Sequence, residues 1–99
     1  LEELEKPEAL RSRGGAWFAL PDGRQIHVGV AEPFAPATKA HPAFRVEGYD
    51  ELKQRLAEAG VESRDDDAIP GLRRFYADDP FGNRLELVDA GSGWLAARA

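Results

Sequence analysis

Apolar and polar residues alternate with two different periods along this chain, and the switches between them mark out its elements. Ala16-Trp17-Phe18-Ala19-Leu20 stops at Pro21-Asp22-Gly23 and resumes as Arg24-Gln25-Ile26-His27-Val28-Gly29-Val30. Two such runs about Pro-Asp-Gly predict a β-hairpin, because proline presets φ and glycine takes the positive-φ position. Residues 1–13 begin as a short strand or helical turn and break at Pro7. Residues 31–40, with Pro33 and Pro36, read as a crossing linker. A second unit follows. Residues 41–47 alternate as a strand, and from Tyr49 the apolar Leu52, Leu56, Ala57 and Ala59 fall at helical spacing. Asp50 suits the N-cap of that helix and Gly60 its C-cap glycine. Residues 61–63 read as a short strand before an acidic loop at 64–67. Strands at 72–77 and 84–88 are joined by a hairpin over 78–83.

The order in the second unit is strand, helix, strand, strand, strand. The first unit has the closing strands of such a pattern without its opening strand and helix. We therefore expect an α+β chain in which 1–39 is a partial first βαβββ module plus linker and 40–89 a complete second one. Residues 90–99 are expected to be a loose end or a partner contact.

Strand period decides which side chains share a face. His27 lies with Gln25 and Gly29, opposite Ile26, Val28 and Val30. His41 shares its face with Ala43, Arg45 and Glu47, opposite Phe44 and Val46. Glu86 lies with Arg84 and Val88, opposite Leu85 and Leu87. Each of the three therefore opposes the apolar, helix-covered side.

Composition narrows the functions. The 99 residues carry a net charge of -5, with 13 basic residues scattered and no basic stripe, which argues against nucleic acid. With no cysteine, disulfides and thiolate chemistry are excluded. No run reaches the roughly 18 apolar residues of a membrane span, and nothing at the start resembles a signal peptide, so a soluble protein is expected, with the cytoplasm as the default compartment. The chain lacks methionine and opens at Leu1. Either the N-terminus is processed or an upstream segment is missing.

The hairpin and strand Asp79-Pro80-Phe81-Gly82-Asn83-Arg84-Leu85-Glu86-Leu87 resembles the D-P-x-G-x-x-x-E-L ending of the glyoxalase/bleomycin-resistance/extradiol-dioxygenase (vicinal oxygen chelate) superfamily. His41-Pro42-Ala43-Phe44 before a helix is similar to that family's H-x-A-F module opening. The resemblance spans about residues 14–89. It implies paired βαβββ modules forming a curved mixed sheet with helices on the outer face, the first module being incomplete here. It also implies a metal site with ligands from the first and last strands of each module: His27, His41 and Glu86, the fourth position falling on the strand this chain lacks.

These are the only histidines of the chain. Two imidazoles and a carboxylate suit Fe, Zn, Ni, Mn or Co and leave positions open for substrate. Such an ion is a Lewis acid for two neighbouring substrate oxygens, with Glu86 the candidate catalytic carboxylate. Trp17 and Tyr76 are candidate wall residues of the cleft, because an amphipathic ring tolerates a wet pocket. Arg45, Arg73 and Arg74 either clamp an anionic substrate or stand as surface cations. The acidic run Asp65–Asp67 reads as a solvated loop, since it lacks the EF-hand spacing. The implied function is a metal-dependent lyase, isomerase or dioxygenase acting on vicinal oxygens. The alternative is a metal-free protein of the bleomycin-resistance type that sequesters a small molecule. In either case an incomplete module leaves an open sheet edge, so a homodimer is expected.

Overall fold

The computed structural model describes residues 1–92; part of the 90–99 tail lies outside the described residues. The chain divides into two compact units, Leu1–Ala35 and Pro36–Ala99. The first is a three-stranded antiparallel sheet in the order β1 (Glu2–Leu4), β2 (Ala16–Ala19), β3 (Gln25–Val28). A 3-10 helix, Glu8–Arg13, joins β1 to β2. The expected hairpin is present: the Leu20 N–H donates to the Arg24 carbonyl, and Gly23 takes φ 91°. Gly15 is required where β2 begins. Its φ is +80°, and a Cβ there would sit 2.1 Å from the Val28 carbonyl oxygen.

The second unit has the expected strand–helix–strand–strand–strand order: β4 (Ala43–Val46), α1 (Tyr49–Glu58), β5 (Ser63–Asp66), β6 (Arg74–Asp78) and β7 (Arg84–Asp89). Its sheet runs β4-β7-β6-β5, with β4 and β7 parallel and the other pairs antiparallel. This is the mixed α+β module expected from the pattern. Tyr49, Leu52 and Leu56 recur at helical spacing on α1. Leu52 and Leu56 pack against a cluster of Tyr49, Phe75, Ala77 and Leu87, in which Phe75 is fully buried. Burying one such aromatic contributes about 1.5–3 kcal/mol. Among the described residues no helix is long and apolar enough to cross a membrane.

Two local expectations are corrected. Asp50 is not the N-cap: Gly48, at φ 65° and ψ 41°, precedes the helix and no side chain caps it. Asp50 sits in the first turn, where its charge suits the helix dipole, and its carboxylate accepts instead from Arg73 at 2.7 Å. At the other end Gly60 donates to the Ala57 carbonyl and Val61 to that of Leu56. These two bonds close the helix as a left-handed glycine stop should. The acidic stretch is the second correction. Residues 64–66 belong to β5, an edge strand paired only with β6. Cross-strand partners offset the poor strand propensity of aspartate. Arg64 meets Asp78 at 3.0 Å, Asp66 meets Arg74 at 3.1 Å, and Asp65 takes Lys53 of the helix at 2.5 Å.

Candidate functional site

The site is built on the sheet face that α1 leaves uncovered. Register places Ala43 beside Glu86 and Glu86 beside Tyr76, with Arg45, Val88 and Arg74 forming the next row. His41 precedes β4 and owes its position to a segment fastened along β7. The Ala37 carbonyl accepts from the Arg84 N–H at 2.8 Å, the Ala37 N–H donates to Asn83 Oδ1 at 2.9 Å, and the Pro42 carbonyl accepts from the Glu86 N–H at 3.0 Å. The D-P-x-G turn thus anchors the H-x-A-F segment. Asp79 Oδ1 accepts the N–H groups of Phe81 and Asn83, and its Oδ2 accepts from Asn83 Nδ2, which fixes the asparagine.

At the centre His41 Nε2 stands 2.9 Å from Glu86 Oε1, and both side chains are largely buried, 19% and 12% exposed. His41 Nδ1 lies 3.0 Å from the Lys39 carbonyl. A carbonyl oxygen only accepts, so the Nδ1–H donates to it and Nε2 is the ring atom turned to the carboxylate. Two acceptors at that distance require a proton or a cation between them. Two donor atoms about 2.1 Å from one ion and at right angles stand about 3 Å apart, close to the observed separation. The backbone bond at the far nitrogen is also the usual way of orienting a ligating imidazole.

Glu86 Oε2 accepts from Arg74 at 3.1 Å, and Arg74 also meets Asp66. Burial alone pushes the Arg74 pKa down, but its hydrogen bonds to Asp66 and Glu86 outweigh that and hold it above the usual arginine range. For Asp66, the N–H of Ala68 and then the Arg74 guanidinium hold the carboxyl below its ordinary value. Glu86 is therefore held by a fixed cation and leaves Oε1 to His41. Tyr76 stands edge-on to His41, ring centroids 5.6 Å apart. The guanidinium carbons of Arg74 and Arg84 lie 5.5 and 5.4 Å from its ring. Buried Nε atoms of both arginines lack a hydrogen-bond acceptor; contact with the ring's π-face compensates in part.

Arg73 hydrogen-bonds Asp50 and Asp89 and covers the Tyr49 ring at 4.7 Å, so it stands with the helix rather than with Glu86. Arg45 is exposed on the Glu86 face. In the first unit His27 Nε2 is 2.8 Å from Gln25 Oε1, and its ring stacks on Trp17 with centroids 3.6 Å apart and planes 1° from parallel. Among the described residues, no group of three or more His, Cys, Asp or Glu side chains is gathered as a metal cluster. Asp66 was hidden from sequence reading by its place in an apparent loop. Ile69, which lines a cavity beside Glu86, is an isolated apolar residue in a polar stretch, and Leu72, read as the start of a strand, precedes β6 and lines the same cavity.

No family model matches the chain, and no curated protein sequence does. Solved structures do. A protein from Bacillus anthracis described as of the glyoxalase family is 51% identical, with a TM-score of 0.83 over 89% of this chain and 71% of that one. A glyoxalase/dioxygenase from Nostoc punctiforme has a TM-score of 0.69 at 23% identity, covering 90% of this chain and 73% of its own. The fosfomycin resistance protein FosX from Listeria monocytogenes has 0.68 at 24%, covering 99% and 77%. These two share the fold. With a half-identical relative matched over most of both chains, this chain belongs to the glyoxalase family of the vicinal oxygen chelate superfamily.

Proposed function

We propose that the chain is a divalent-metal-dependent enzyme that acts on a small molecule with two neighbouring oxygens. The observation that carries this reading is the His41 Nε2–Glu86 Oε1 approach at 2.9 Å, with the imidazole oriented from behind by the Lys39 carbonyl. His41 and Glu86 are two of the donors, and His27 is the third that the family resemblance assigns. An ion held there supplies Lewis acidity to substrate oxygens. Arg74 holds the Glu86 carboxylate in orientation, and Tyr76 walls the site beside His41. We extend the reading to the cytoplasm and to a homodimer, the latter supported by the exposed apolar Val28 and Val30 of the first unit.

Manganese(II) titration followed by electron paramagnetic resonance tests this. We expect one ion per chain, bound at least tenfold more weakly by His41→Ala and by Glu86→Gln, with His27→Ala measured separately as the test of the third donor. The second reading, a metal-free binder of the bleomycin-resistance type, draws support from the Arg74–Glu86 ion pair at 3.1 Å, which already neutralises the carboxylate. A stoichiometry near zero for manganese, iron, cobalt, nickel and zinc alike would remove the enzyme and leave the binder.

A further inference from the structure

A cavity of about 330 Å³ opens on the same sheet face, beside Glu86. Ala43, Ile69, Leu72 and Val88 give it an apolar lining, and its charged lining residues are Arg45, Arg74 and Glu86. Leu72 and Val88 are buried, at 7% and 6% exposure, so this floor is packed and shaped.

Arg45, Arg73 and Arg74 differ in what they already hold. Arg73 has Asp50 and Asp89. Arg74 has Asp66 and Glu86. Arg45 has no carboxylate within ion-pair distance among the described residues, and it is the one cationic lining residue of the cavity so placed. Its charge is therefore available to a ligand. A guanidinium matches a carboxylate or phosphonate through two parallel N–H···O bonds.

Spacing sets the size of that ligand. Glu86 pairs with Ala43 and Val88 with Arg45, so the Arg45 row lies two residues along the strands from Glu86. Two residues of strand are about 7 Å, roughly the length of a ring bearing one substituent. Val88 stands beside Arg45, at the anion end.

We propose that this cavity takes a small molecule with an oxyanion group on an apolar body, and that Arg45 selects the anion. The assignment rests on the metal-site reading only in placing the vicinal oxygens at the Glu86 end; the anion end stands on Arg45 and the apolar floor.

Benzoate and its neutral isostere benzamide are the probes, titrated by calorimetry and heteronuclear NMR into chelator-treated protein. We expect benzoate to bind at least tenfold more tightly than benzamide and to shift the amides of Arg45 and Val88. Arg45→Gln should erase that preference while leaving benzamide binding unchanged, and Arg45→Lys should keep part of it. Arg45 is exposed, so these variants are expected to fold, and their manganese binding should match the parent. Equal affinity for the two probes, or an unchanged benzoate preference in Arg45→Gln, overturns the anion site whatever manganese does. Loss of manganese binding in the parent, with the benzoate preference intact, overturns the metal reading and leaves the anion site standing.

Discussion

The two units of this chain use the same strand alternation and reach different ends. In the first, Phe18 and Ile26 share one sheet face, as Phe75 and Leu87 do in the second. Phe75 is completely buried, whereas no residue of Leu1–Ala35 is buried. The difference is α1. It lays Tyr49, Leu52 and Leu56 over the second sheet, and no α-helix belongs to the first unit. Alternation produces a hydrogen-bonded sheet; a core requires something to close the apolar face.

The contrast is broken most directly by truncating the two phenylalanines. Phe75→Ala should cost about 3–5 kcal/mol in urea unfolding, the usual range for emptying a packed aromatic site. Phe18→Ala should cost less than about 1.5 kcal/mol, since water already reaches its surroundings. Equal losses would mean that the first sheet face is covered in solution.

Next come the turns. Asp79→Ala removes the acceptors of Phe81, Asn83 and the Asn83 side chain, and should cost about 1–2 kcal/mol. It should also weaken manganese binding, because Asn83 ties the His41 segment through Ala37. Asp22→Ala at the exposed turn of the first unit should leave the urea midpoint unchanged. Gly60→Ala is expected to cost about 1 kcal/mol, because φ is +81° there while nothing crowds the missing Cβ.

The smallest effect is acid sensitivity. Burial pushes the Asp79 pKa up, but Asn83 and the turn N–H groups outweigh it and hold it below 3.8. A depressed folded pKa stabilises the fold above the unfolded value and loses that contribution as pH falls through the folded one. Urea midpoints should therefore drop below about pH 4, and less steeply for Asp79→Asn. An identical acid limb in both would remove Asp79 from the account.

How much was legible depended on periodicity. The β4–α1–β5–β6–β7 order, the uncovered face of Glu86 and the kinship of His41 with Arg45 follow from period two, and α1 from the spacing of Tyr49, Leu52 and Leu56. Where local propensity opposed the final structure, the reading failed. Three consecutive charged residues at 64–66 look like a loop, because their partners Asp78, Lys53 and Arg74 are distant in sequence or on another strand. Asp50 has the chemistry of a cap, yet the helix begins one residue before it. Arg73 and Arg74 are neighbours in sequence and sit on opposite faces, the first with Tyr49 and the second with Glu86.

By itself the sequence determined the elements, the faces on which chemistry-bearing residues stand, and the family to which the motif at 79–87 points, since each is written in spacing along one strand or turn. The tertiary structure alone decided that His41 meets Glu86, that Arg74 is already committed and Arg45 is not, and that only one sheet has a core. Those outcomes depend on which separate segments approach within hydrogen-bond reach, and no periodicity along a single segment encodes that.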